Sequence, residues 1–281
     1  MFLPCHICHP NNFFSTSGRS RYVIHYCWVG GAGKSELVQK CLASWKKYCP
    51  DYSIIEWNEE NWNVNYNQYT YEAFQEKKWA FVSDVARLDV VCRYGGLYLD
   101  TDVELLASPQ KYMESGWIAF ESPVMLNTGL GFAAEAGNVL IKAALKEYDG
   151  CSFYKKNGSL DLTACPYRNT SAFKKQLPFL KMGNTTQIFP EITIISEAEY
   201  KTFACHHGAS SWLEKDSKPL EQGSYRDTKL KQFLRNPQRI NWLDKHLPDL
   251  FFRGYVFVAY DLLEHGFPWL LQKAFKKFYR K

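Results

Sequence analysis

The chain has 281 residues, 46% of them hydrophobic and 22% charged, an ordinary globular balance that fits one large domain or two small ones. Its net charge of +5 is modest and no dense Arg/Lys stripe crosses the body, which argues against nucleic-acid binding. No run reaches the roughly 18 apolar residues of a membrane span, the start lacks a secretory signal, and nine unframed cysteines fit a cytosolic, reduced chain.

Residues 1–20 read as a polar, irregular extension. Cys5, Cys8 and His9 resemble half a zinc site there, but no second pair with finger spacing follows. Residues 22–28 read as a buried first strand ending at Gly30-Gly31. From 35 to 48, Leu37, Cys41, Leu42 and Trp45 recur at helical spacing, and Pro50-Asp51 breaks the pattern. Residues 52–57 are a second strand, followed by an Asn-rich loop to Gln68. One long helix is predicted over 72–94, where Phe74, Phe81, Val85, Leu88 and Cys92 keep the 3.6 period and Gly95-Gly96 stop it. Residues 97–99 are a third strand, 117–120 a fourth, and 138–148 another helix. Residues 150–190 show no regular pattern. Residues 192–195 and 201–205 are short strand candidates, the second leading into His206-His207. From Leu247 the chain turns apolar, aromatic and finally basic. Alternating strands and helices argue for an α/β nucleotide-binding sheet, with ligands at the strand carboxyl ends.

Chemistry concentrates in the stretch 81–103. Asp100 and Asp102 follow an apolar run, and in a strand alternate residues share a face, so both acids can serve one hard cation. Asp84 and Arg87 lie three apart among apolar neighbours, and buried charge must be paired or bound to something. Trp28 ends the first strand, as a core side chain or as a platform for a base. His206 and His207 offer an imidazole as a third metal ligand, with the choice between them open. Gly30-Gly31-Ala32-Gly33-Lys34-Ser35 imitates a phosphate loop, but Trp28 stands where that pattern needs its first glycine.

Residues 22–31, Ser44-Trp45-Lys46, Asp51-Tyr52, Glu56-Trp57-Asn58, 81–103, Asn127-Thr128-Gly129 and His206-His207 through Ser211-Trp212 together resemble one family. They look like the DXD-motif glycosyltransferases of capsular polysaccharide synthesis, glycosyltransferase family 32, distant relatives of the clostridial glucosylating toxins. The resemblance spans roughly 21–215 and implies a GT-A fold, a single Rossmann-like α/β domain with a mixed sheet. It implies Mn2+, with Mg2+ as the alternative, and retaining transfer from a nucleotide diphosphate. By the same resemblance Trp28 stacks on the base, and Asp84 contacts base or ribose. Arg87 lies near the sugar and phosphates, Asp100 contacts ribose and metal, and Asp102 binds metal. Asn127 lines the donor sugar pocket, His206 or His207 completes the metal shell, and Ser211 and Trp212 approach the leaving diphosphate. Cys165-Pro166 departs from the Gly-Pro frequent in relatives.

The expectation is a metal-dependent transferase using a UDP-sugar and a saccharide or lipid-linked saccharide acceptor, in bacterial surface polysaccharide synthesis. Residues 1–20 are its extension and 21–215 its catalytic domain. Residues 216–281 form a helical region, amphipathic over 250–281 and suited to an anionic membrane surface on the inner face of the plasma membrane. The alternatives are a toxin-like protein glycosyltransferase, a non-catalytic membrane-associated sugar-nucleotide-binding protein, and a metal-dependent phosphohydrolase.

Overall fold

The computed structural model describes residues 23–208. The extension at 1–20, Ser211 and Trp212, and the region 216–281 expected to be helical lie outside the described residues.

The first strand, β1 (Val23–Cys27), is buried along its whole length. Its buried histidine, His25, is satisfied from both sides. The Trp57 indole donates to Nδ1 at 3.0 Å, which leaves Nε2 to donate to the Gly95 carbonyl at 2.8 Å. Burial drops the His25 pKa to about 4 against that carbonyl's pull, so the ring is a neutral core group. Helix α1 (Glu36–Tyr48) starts where Ser35 caps it, accepting from the Val38 N–H. It buries Val38, Cys41 and Trp45. The Trp45 indole reaches the Val103 carbonyl at 2.8 Å, and Ser44 Oγ accepts from the Leu105 N–H at 2.9 Å. Strand β2 (Ser53–Trp57) pairs parallel with β1, Tyr26 opposite Glu56 and Cys27 opposite Trp57.

The long helix expected over 72–94 is two helices. Asn67 and Thr70 form a capping box that starts α2 (Gln68–Gln75) earlier. Lys77 then takes a left-handed conformation with φ of 54°, and α3 (Trp79–Tyr94) begins beyond it. Gly95, at φ 68°, ends α3, and a Cβ there would lie 2.8 Å from the Ala136 nitrogen. Then come β3 (Gly96–Tyr98), β4 (Val103–Leu105), β5 (Trp117–Ser122) and β6 (Met125–Ala134). Helices α4 (Val139–Lys146) and α5 (Cys165–Gln176), strands β7 (Gln187–Ile188) and β8 (Thr193–Ile195), the short α6 (Glu197–Tyr200) and β9 (Ala204–His206) complete the described order.

The main sheet runs β2-β1-β3-β6-β5-β8-β7 and is mixed: β1 is parallel to β2 and β3, whereas β6 is antiparallel to β3 and β5. A second sheet pairs β4 with β9, bringing His206 opposite Val103. One apolar core lies under α2, α3, α4 and α5, and another between the sheet and α1, α6 and the small sheet. The expected α/β fold with a mixed sheet is what the chain adopts. Parallel β1 and β3 deliver Trp28 and Asp100 to the same carboxyl edge, where open α/β sheets bind ligands.

Candidate active site

The middle of α3 is buried on every side, so its charged residues are buried with it: Asp84 is 7% and Arg87 3% exposed. Arg87 Nη2 lies 3.1 Å from Asp84 Oδ1, and Nη1 lies 3.1 Å from Asp100 Oδ2. Nε donates to the Ser83 carbonyl and Nη2 to Ser83 Oγ, each at 3.1 Å. The guanidinium also stands 5.1 Å from the Tyr98 ring centroid, and the Tyr98 hydroxyl donates to Asp100 Oδ1 at 2.8 Å. The strand residue, the first acid of the motif and one turn of α3 thus form a single charged network.

The environment sets the charges. Burial pushes the Asp84 carboxyl up to about 6, Asp100 adding to the rise and Arg87 opposing it. Asp100 is likewise raised by burial, against the pull of Arg87. Burial works against the Arg87 cation, but Asp100, Tyr98 and Asp84 outweigh it and keep the guanidinium protonated.

Asp100 and Asp102 lie on a turn, not on a strand as the alternation argument assumed. Strand β3 ends at Tyr98; the Leu99 N–H donates to the His25 carbonyl at 3.1 Å and the Val103 N–H to the Asp100 carbonyl at 2.9 Å. The turn aims Asp102 at β9, its Oδ2 3.4 Å from His206 Nε2. His207 looks elsewhere. Its Nε2 is 2.9 Å from Glu104 Oε2, which also holds Lys40 Nζ at 2.8 Å. Successive residues of an extended chain point to opposite sides, which divides the two histidines between two carboxylates.

Among the described residues, no group of three His, Cys, Asp or Glu side chains is assembled around one point for a metal ion. Asp102 and His206 are together, while Arg87 and Tyr98 draw the Asp100 oxygens to their own side. The donor types nonetheless fit a hard or borderline cation. A carboxylate offers about four lone-pair sites, so Asp100 retains acceptor capacity beside Asp102 and a neutral His206. Burial disfavours the charged His206 ring, but the hydrogen bond and charge of Asp102, with Asp100 and Glu121 behind it, raise its pKa overall.

Asn127, on β6, is 6% exposed. Its Oδ1 accepts from the Gly129 N–H at 2.6 Å and its Nδ2 donates to Glu121 at 3.1 Å. A Cβ at Gly129 would stand 3.0 Å from Asn127 Oδ1, 3.0 Å from Asp100 Oδ2 and 3.1 Å from Arg87 Nη1. The glycine therefore keeps an opening where three candidate side chains converge. Trp28 is half-buried at the same edge, its indole N–H donating to the Ala32 carbonyl at 2.7 Å. Two buried thiols flank the network. Burial pushes the Cys27 pKa up to about 12 and raises that of Cys165 well above its ordinary value.

The structure thus brings Asp84, Arg87, Asp100 and Asn127 into one group and Asp102 with His206 into a neighbouring one. Trp28 shares their sheet edge. The sequence reading does not single out Ser83, Tyr98 or Glu121 for this group. Ser83 lies four residues before Arg87, a spacing that places both on one helix face, while Tyr98 ends β3 and its hydroxyl reaches Asp100 on the turn beyond it. Glu121 needed the β5–β6 hairpin to be recognised.

Comparison with known proteins bears on the same residues. A family model described as a glycosyltransferase sugar-binding region containing a DXD motif matches residues 35–121, about a third of the chain, including Asp84, Arg87, Asp100 and Asp102. No curated protein matches the chain. Among solved structures, PaToxG glycosyltransferase is similar at 21% identity and a TM-score of 0.43, covering 56% of this chain and 69% of that one. A glycosyltransferase involved in glycosylation of the major capsid of PBCV-1 is similar at 12% identity and a TM-score of 0.35, covering 68% of this chain and 94% of that one. Among the described residues no helix is long and apolar enough to cross a membrane.

Proposed function

We propose that the chain is a metal-dependent glycosyltransferase. It moves a hexose from a UDP-sugar to a saccharide or lipid-linked saccharide, with retention, in the synthesis of a bacterial surface polysaccharide. The observation that carries this reading is the buried Arg87 network with Asp84 and Asp100 at the carboxyl edge of the sheet, beside the Asp102–His206 pair. The family match over 35–121 supports it.

Departure of a nucleoside diphosphate leaves charge on phosphate oxygens. Arg87 is a fixed cation already oriented by Ser83, Asp84 and Asp100, so it stabilises that charge without reorganising. Asp84 and Asp100 accept hydrogen bonds from ribose and sugar hydroxyls, and Trp28 carries the base. Asn127, fixed by Glu121 and the Gly129 N–H, orients the sugar. Held by Asp102, His206 and the remaining Asp100 lone pairs, Mn2+ (or Mg2+) would supply further neutralisation of the leaving diphosphate. Ser211 and Trp212, outside the described residues, belong to this reading as closing groups that exclude water. The buried thiols Cys27 and Cys165 are held protonated and make poor nucleophiles; front-face transfer without a covalent intermediate is carried over from the family resemblance. The basic, apolar residues over 250–281 would bring the enzyme to a membrane surface bearing a lipid-linked acceptor.

The test is incubation with a panel of nucleotide sugars and saccharide acceptors in Mn2+. Transfer with release of the nucleoside diphosphate, lost in Arg87→Met, is the expected result. Liberation of free phosphate with no sugar transferred would instead mark a phosphohydrolase.

A further inference from the structure

The Gly-rich run that fails as a phosphate loop has a different geometry to offer. Hydrogen bonding of the Trp28 indole to Ala32 folds the loop back over the ring. This brings Lys34 Nζ to 5.4 Å from the Trp28 ring centroid and 2.8 Å from Glu56 Oε2. Glu56 sits near the end of β2, opposite Tyr26 of β1, and the Tyr26 hydroxyl donates to the same carboxylate. Its other oxygen takes a long hydrogen bond, 3.4 Å, from Asn58. Lys34 and Glu56 side chains are 27% and 30% exposed. Partial burial disfavours the Glu56 charge, but the hydrogen bonds of Lys34 and Tyr26 outweigh it and keep the carboxylate below its ordinary range. A partly exposed ion pair of this kind can exchange one partner for a ligand. The loop also has room, because a Cβ at Gly31 or Gly33 would meet nothing within 4 Å.

We propose that Lys34 and Glu56 read the edge of the donor's nucleobase at the Trp28 platform. Lys34 donates to a ring carbonyl and Glu56 accepts from the ring N–H beside it. The proposal rests on the glycosyltransferase reading, in which Trp28 carries the base. Uracil and guanine present a carbonyl next to a ring N–H; cytosine and adenine present a bare ring nitrogen next to an amino group. The pair therefore selects uridine or guanosine diphosphates over the other two. Without a donor, Lys34 covers the ring and the two charges satisfy each other. Binding exchanges that pair for two charge-assisted hydrogen bonds and a stacked base.

Calorimetric titration of UDP, GDP, CDP and ADP in Mn2+ into wild type, Glu56→Gln and Lys34→Ala tests this, with unfolding midpoints as a check that the surface changes leave the fold intact. Wild type should bind UDP or GDP at least about tenfold tighter than CDP and ADP, and the tighter of the two names the base. Each variant should weaken that nucleotide by about tenfold and change CDP and ADP by less than about twofold. Equal weakening of all four would mean the charges act on the diphosphate, and no weakening that they act on nothing; either overturns the proposal alone. Absence of binding by any of the four to wild type would overturn the glycosyltransferase reading with it.

Discussion

Asp84→Asn should make the protein more stable and less functional. Asp84 is 7% exposed, and burial raises its carboxyl from 3.8 to about 6 even with Arg87 alongside. A rise of this size is worth ~3 kcal/mol, at 1.36 kcal/mol per pKa unit. The sign follows from proton binding. Between pH 3.8 and about 6 the folded chain keeps a proton on Asp84 that the unfolded chain has released. Stability from this group is therefore complete below 3.8 and lost as pH rises through about 6. Asparagine has nearly the shape of the protonated acid, so Asp84→Asn should gain ~2–3 kcal/mol at pH 7.5 and almost nothing below pH 3.8. Urea denaturation across that range measures the difference, and donor binding should fall about tenfold or more if Asp84 is a donor contact. A variant less stable than wild type at pH 7.5, or a gain that ignores pH, would refute the reasoning.

Gly129→Ala should cut transfer by about tenfold or more, because its methyl enters the opening between Asn127, Asp100 and Arg87; steady-state kinetics beside the unfolding midpoint checks that the fold survives. His206→Ala should weaken Mn2+-dependent nucleotide binding, whereas His207→Ala should leave it nearly intact, since only His206 faces Asp102. Because Asp102 raises the His206 pKa despite burial, and a protonated ring cannot ligate, that binding should weaken as pH falls through the range above 6.5; titrations at several pH values measure it. Trp28→Ala should cost ~1–3 kcal/mol in nucleotide binding if the ring stacks on the base, read from calorimetry.

Elements with regular apolar spacing were legible in the sequence: β1, α1, β2 and the end of α3 at Gly95. Those built on buried polar groups were not. In β6 all ten residues are buried, yet Asn127, Thr128, Gly129 and Gly131 interrupt its apolar pattern. Gly131 is required at φ 97°, where a Cβ would meet Leu99 at 2.7 Å, a packing constraint that a single strand does not display. In α5, Asn169 donates to Thr128 Oγ1 at 2.7 Å and Thr170 accepts from the Leu126 N–H at 2.9 Å. Its buried face therefore looks polar. The split between α2 and α3 turns on one left-handed lysine, which no propensity foretells. At the site, Asp84 and Arg87 were legible as a helical pair and Asp100 and Asp102 as a motif. The bond joining the two groups, Arg87 to Asp100, spans thirteen residues and exists only because α3 packs on β1 and β3. Which histidine meets Asp102 likewise depended on the β4–β9 register.

The most direct measurement is calorimetric titration of UDP, then GDP, into the protein with and without Mn2+, beside Asp102→Asn. Binding that requires Mn2+ and disappears in the variant is the expected result. Failure of both nucleotides to bind wild type with any divalent metal, or binding equally tight in Asp102→Asn, would contradict a metal-held nucleotide donor at this site.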